Sequence, residues 1–169
     1  ALGLPKNFDL DFNPFASDAD PLLASAVEKT SQLVMSTVTA ITSSAEGAGL
    51  SKEDAFKTAM DAVVSVVKTN TEQNKTVDFS DRNILEEIQL KATESAIEKG
   101  VNESAFSIAI DSAIEKTKSI NENINNVEDV FSDEAKEVFN TVSTVAQESK
   151  SFADTLNTAF VSNPVVRTG

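Results

Sequence analysis

Apolar residues recur three and four positions apart along most of this chain, the spacing that lines one side of an α-helix. The alternation expected of strands is weak or absent. Leu23, Val27, Thr30, Val34, Val38, Ile41 and Ala45 form the first stripe. Asp20 opens it as an N-cap with Pro21 at the first helical position, and Gly47 and Gly49 stop it. Ser51 through Asp54 form a capping-box variant with an acid three residues after the serine, and Phe56, Met60, Val63, Val64 and Val67 give a second stripe. Polar residues from Thr69 to Thr76 predict a loop. A third helix begins near Ser80 or Asp81, carries Ile84, Leu85, Ile88, Ala92 and Ala96, and ends at Gly100 as a left-handed cap. Asn102 caps a fourth, whose side is Phe106, Ile110, Ala113, Ile114, Thr117, Ile120 and Ile124. Ser132, followed by Asp133 and Glu134, opens a fifth, with Val138, Phe139, Val142, Val145, Ala146, Phe152, Leu156 and Phe160 along its stripe.

Five amphipathic helices joined by short turns predict an all-α fold, a single five-helix bundle with antiparallel neighbouring helices. Residues 1–20 form an N-terminal capping segment, 21–162 the bundle, and 163–169 a linker or tail in which Pro164 blocks further helix. Ala55-Phe56 through Ala59-Met60-Asp61-Ala62 resembles Ala105-Phe106 through Ala109-Ile110-Asp111-Ser112, each after a Gly-apolar-Ser/Asn turn. The likeness suggests a duplicated helical hairpin, with turns that differ by one residue in length.

Composition narrows the function further. With 169 residues and 40% apolar content, the chain holds one core of useful size. Its net charge of -13 repels phosphate backbones, so nucleic acid is excluded as a partner. Cys, His, Trp and Tyr are absent, which removes thiolate nucleophiles, disulfides, Cys/His zinc sites and histidine bases. Runs such as Ala62-Val63-Val64 fall far short of the roughly 18 apolar residues that span a bilayer. The start at Ala1-Leu2-Gly3-Leu4-Pro5, without a methionine or an export signal, leads us to expect a domain excised from a longer protein.

Candidate chemistry is sparse. From Asp9 to Asp20, oxygen-bearing Asp9, Asp11, Asn13 and Asp20 take positions 1, 3, 5 and 12 of a calcium loop, with Ser17 at position 9. Pro14 stands where that loop needs glycine, and Asp20 replaces the longer bidentate glutamate. The alternative makes Asn13 and Asp20 caps ahead of Pro14 and Pro21, with Phe12 and Phe15 packed on the bundle. Capping accounts for both prolines and both phenylalanines, and calcium accounts for neither. Adjacent carboxylates Glu53 and Asp54, Glu86 and Glu87, and Glu128 and Asp129 point to different sides of a helix. Ser65-Val66-Val67-Lys68 is the sole Ser-x-x-Lys considered as a nucleophile and base, and it lacks the partner motifs of such enzymes. Lys68 is instead expected to sit favourably near a helix C-terminus. Asn74-Lys75-Thr76 and Asn102-Glu103-Ser104 match the glycosylation pattern, though Asn102 is already a cap. Phe56, Phe106, Phe139, Phe152 and Phe160 fall on the stripes and are expected in the core.

Leu2-Gly3-Leu4-Pro5, Phe8-Asp9-Leu10 and Phe12-Asn13-Pro14-Phe15, followed by a long helix rich in Ala, Val, Ser and Thr, resemble helical modules of very large secreted or cell-surface proteins of marine bacteria. Those proteins also carry cadherin-like or haemolysin-type calcium-binding repeats. The resemblance implies an extracellular or cell-surface setting, no enzymatic activity, and a part in adhesion or in spacing other domains. Its implied partners are neighbouring domains of the same polypeptide or another protein. No cofactor is expected, calcium at the N-terminal acids being the one candidate. A helical module holding a small apolar ligand in its core is the alternative function.

Overall fold

The computed structural model describes residues 2–5, 8–9 and 11–162. Helix accounts for 75% of them, with no strand among them. The expected tail at 163–169 and Leu10 lie outside the described residues. The helices are α1 (Pro21–Gly47), α2 (Lys52–Glu72), α3 (Arg82–Glu98), α4 (Glu103–Asn126) and α5 (Asp133–Ser162).

The predicted caps start these helices. Asp20 accepts from the N–H groups of Leu22 and Leu23, Ser51 from Asp54, Asp81 from Asn83, and Asn102 from Ala105. Ser132 Oγ accepts from the Ala135 N–H at 3.1 Å. Each bond satisfies a donor that the first helical turn would otherwise leave unpaired. At the other ends, Gly49 and Gly100 adopt φ of 110° and 86°, conformations natural to glycine. They let Leu50 and Val101 fold back and donate to the carbonyls of Ala45 and Ala96. The second helix runs on to Glu72, so Thr69 to Glu72 form its last turn instead of a loop, and Lys68 falls just before that turn.

Helix α1 packs on α2 and α4, and α3 packs on the same two, so the first four helices form a square; α5 lies over α1 and α4. Consecutive helices run antiparallel. The fifth runs in the same direction as α1: Phe131, just before α5, stacks edge-on against Phe15 ahead of α1, while Lys150 pairs with Glu46 at the far end of α1. Their seam is tight. A Cβ on Gly47 would lie 2.3 Å from the Lys150 carbonyl oxygen and 2.7 Å from Ala153 Cβ.

One core cluster runs through all five helices, with Ile41, Leu85, Ile88, Phe106, Ile110 and Ile124 fully buried among many alanines. The covered faces of α3 and α4 are as predicted, those of α1 and α5 are so only in part, and that of α2 least of all. Its buried residues are Ala55, Thr58, Ala59, Ala62, Val63, Val66 and Asn70. Phe56 is 51% exposed and Val64 55%. Phe152 is also exposed, and Phe139 and Phe160 are only half-buried, so of the five phenylalanines expected inside only Phe106 is fully enclosed. Phe79, from the α2–α3 loop, fills the core in their stead.

The first two hairpins correspond position by position at a spacing of 51 residues. Gly49 matches Gly100 and Ser51 matches Asn102, so the turns are equal in length, contrary to the expected difference of one. All seven buried positions of α2 map onto buried positions of α4: Phe106, Ala109, Ile110, Ala113, Ile114, Thr117 and Asn121. Leu33, Thr37, Ile41 and Ala45 of α1 likewise map onto Ile84, Ile88, Ala92 and Ala96 of α3. Even the following loops agree, since Asp78 and Asp129 each accept the N–H two residues on at 2.9 Å. The pairing between hairpins is reciprocal: Ser36 of α1 binds Asn121 of α4, and Glu87 of α3 binds Asn70 of α2. Reciprocity of this kind describes an approximate twofold axis down the square.

Candidate functional site

The N-terminal candidates sit in successive tight turns. Asp9 Oδ1 accepts from the Asp11 N–H at 3.0 Å, and Asn13 Oδ1 from the Phe15 N–H at 3.0 Å. Asp20 Oδ1 is occupied by the α1 cap at 2.9 Å. Asp, Asn and Ser side chains make such local bonds because their oxygens reach the backbone two residues on. Among the described residues no three carboxylates gather as a metal would require. Phe12 is half-buried and forms an edge-on pair with Phe8, but Phe15 is 67% exposed and touches Phe131 at the loop before α5 instead of entering the core.

Other candidates are dispersed. Ser65 lies in the wall of a groove between α2 and α3, while Lys68 is exposed outside that wall. Of the paired carboxylates, Glu86 and Glu87 diverge as expected, Glu86 pairing with Arg82 and Glu87 facing Asn70. Asp54 accepts from Ser51 Oγ, and Glu128 and Asp129 lie in the α4–α5 loop instead of on a helix. Asn74 stands in an exposed turn at φ 55°, and Asn102 is held as a cap by Ala105.

Outside α3 and α4 runs a groove in which Glu86, Gln89, Thr93, Ser107 and Asp111 stand beside the exposed Leu90. It comprises two hollows of about 520 and 300 Å³ that share Glu86, Gln89 and Asp111. Gln89 bonds Asp111 across it, and Arg82 bridges Glu86 and Glu115, each at 2.8 Å. The hydrogen bond to Glu86 and the Glu115 charge raise the pKa of the Arg82 guanidinium, which keeps it charged.

The equivalent surface of α1 and α2 is apolar at several of the polar places, while Thr39 stands for Leu90. Counting back 51 residues, Met35 stands for Glu86, Val38 for Gln89, Phe56 for Ser107, Met60 for Asp111 and Val64 for Glu115. Met35 is 54% exposed, and Phe56 and Val64 are similarly open, whereas Val38 is buried. Met60 and Val67 are half-buried against the core. Sequence reasoning had placed Phe56 and Val64 inside the bundle and therefore missed this face. Its available signal was the equivalence itself, which assigns Phe56 to the place of a serine.

Inside the square the principal polar group is Asn121. It is fully buried, donates to the Phe79 carbonyl at 2.7 Å and to Thr37 Oγ1 at 3.3 Å, and accepts from Ser36. These bonds tie the α2–α3 loop to α1 and α4. Satisfied polar groups of this kind fix one arrangement among many apolar ones.

Comparison with known proteins gives no match, whether to family models, to curated proteins or to solved structures. No helix among the described residues is long and apolar enough to cross a membrane.

Proposed function

We propose that the chain is a non-catalytic structural or interaction module of a larger exported, adhesin-like protein, placed between neighbouring domains at or outside the cell surface. The observation that carries this is the distribution of its side chains. Groups that could act on a substrate are spread over helix starts and surface ion pairs, whereas large apolar residues, Met35, Phe56 and Val64 among them, face outward. Catalysis requires a nucleophile or base, an orienting partner and a place for the reacting atom, all converging. Contact with another polypeptide requires only a face of suitable shape and chemistry. The acidic surface, at -13, suits a saline exterior, where screening limits self-repulsion.

The test is an in-frame deletion of residues 21–162 from the full-length protein in its own host. Surface display is followed by antibody and attachment by adhesion assay. Display should persist while attachment falls. A full-length protein confined to the cytoplasm, or attachment unchanged by the deletion, would overturn the proposal.

A further inference from the structure

We propose that the outward face of the α1/α2 hairpin is a contact surface through which two copies of this chain pair. The inference goes beyond the function above and would stand if the module were never exported.

The internal equivalence supplies a control that a single surface patch lacks. Exposed apolar residues scattered over a protein need no explanation. Here the same backbone positions occur twice, and Glu86, Ser107, Asp111 and Glu115 show that polar residues satisfy the fold there. Met35, Phe56 and Val64 are therefore not demanded by helix packing, whereas Met60 also rests on the core. Phe56, Met60 and Val64 follow one another at four-residue intervals along α2, so they form a stripe. Counting from the turn between the helices, Met35 of α1 is level with Val64.

Charge selects the occupant. On a chain of net charge -13, most surfaces repel a second copy. Helix α2 is nearly balanced, with Lys52, Lys57 and Lys68 against Glu53, Asp54, Asp61 and Glu72. Two antiparallel copies of α2 crossing near Met60 place Phe56 opposite Val64 of the second copy. That register also brings Lys68 to Glu53 of the second copy and Lys57 close to its Asp61. An isologous pair needs one patch complementary to itself, and this stripe with its flanking charges meets that condition. A few side chains bury less than the roughly 800 Å² per partner of a standard interface, so the pair is weak and concentration-dependent.

Sedimentation equilibrium of the whole chain, up to about 1 mM, tests this. The mass should rise from 18.0 kDa toward twice that value with concentration. Raising salt from about 0.01 to 1 M shortens the screening length from about 30 to 3 Å and should strengthen pairing, because net repulsion is relieved while apolar contact remains. The variant Met35→Glu, Phe56→Ser, Val64→Glu borrows the residues of the equivalent places and should stay monomeric with unchanged helicity. Phe56→Ser alone serves if the triple variant loses structure, and should weaken pairing at least tenfold. Ile108→Ser, which removes an exposed apolar residue of α4, should leave pairing intact. A wild-type chain that stays monomeric throughout overturns the proposal, as does pairing that survives Phe56→Ser or disappears with Ile108→Ser.

Discussion

The α1/α2 and α3/α4 hairpins share turns, caps and buried positions, yet place their exposed apolar residues differently: Met35, Phe56 and Val64 on one, Leu90, Ile97 and Ile108 on the other. Inside, the fold dictates which positions are covered and tolerates different residues there: Ala55 takes the place of Phe106, and Val66 that of Thr117. Small and large side chains fill one common core cluster, so what is preserved between the hairpins is burial and not size. Outside, nothing in the backbone dictates chemistry. One hairpin bears Glu86, Asp111 and Glu115 where the other bears Met35, Met60 and Val64. The duplicated fold thus separates residues that the bundle requires from residues that it merely carries.

The two phenylalanines that a register of 50 would pair, and a register of 51 does not, should show the largest contrast. Phe106 is fully enclosed, and Phe106→Ala should cost about 3–5 kcal/mol by lost transfer energy and the cavity left behind. Phe56→Ala, at a half-exposed site, should stay within about 0.5–1 kcal/mol. Urea denaturation of both variants measures this. Equal losses would mean that the hairpins do not correspond at a spacing of 51.

Next come the two equivalent asparagines. Asn121→Ala leaves the Phe79 carbonyl without its donor in a closed interior, at a cost of about 1–3 kcal/mol. Asn70 donates to the Val66 carbonyl of its own helix at 2.9 Å and reaches Glu87, which has access to water. Asn70→Ala should therefore cost only about 0.5 kcal/mol. A loss of the same size at both would show that the reciprocal pairs carry equal weight.

A smaller difference separates Gly47 from its equivalent Glu98. Alanine ordinarily improves a helix by about 1 kcal/mol over glycine. At Gly47 the new Cβ would meet backbone 2.3 Å away, an overpacking that costs up to about 3 kcal/mol. Gly47→Ala should thus destabilise by about 1–2 kcal/mol net, with hydrogen exchange rising first in α5. Glu98→Ala, on the open side of α3, should be neutral. An unchanged α5 in Gly47→Ala would argue that the seam has room.

Helix limits were legible in the sequence because capping is local: Asp20, Ser51, Asp81, Asn102 and Gly100 each act within a few residues. The covered side of α2 was not. Its inward residues are chiefly Ala55, Thr58, Ala59 and Ala62, whose small side chains give a weak apolar signal, and Phe56 drew the inferred stripe round the helix. Alanine is buried there because two helices approach closely, a property of the neighbours and not of α2 alone. Helix α1 escaped in a different way. It contacts α2, α4 and α5, so Ser36, Ala40, Ser44 and Gly47 are buried beyond any single stripe. The Ala-Phe dipeptides suggested a register of 50, and the turns impose 51. Asn121 was invisible as a core residue because its partners, Ser36, Thr37 and the Phe79 carbonyl, come from distant parts of the chain.

The smallest effect concerns an ion pair that only the first hairpin has. Lys57 bonds Asp61 at 2.7 Å on the open surface of α2, where α4 carries Ile108 and Ser112. The hydrogen bond to Lys57 lowers the Asp61 pKa below 3.8, and the same bond raises that of Lys57 above 10.5. As pH falls, the unfolded chain binds the aspartyl proton first, so the Asp61 contribution is complete above 3.8 and disappears as pH drops through the lower folded value. The Lys57 contribution is complete below 10.5 and disappears only as pH rises through its higher folded value. Between these limits the effect is flat. Lys57→Met, which keeps the apolar stem, should lower the melting temperature by a small constant amount from pH 5 to 9, and the gap should close toward pH 2 and in high salt. A gap that persists in acid would assign the effect to the lysine's packing and not to its charge.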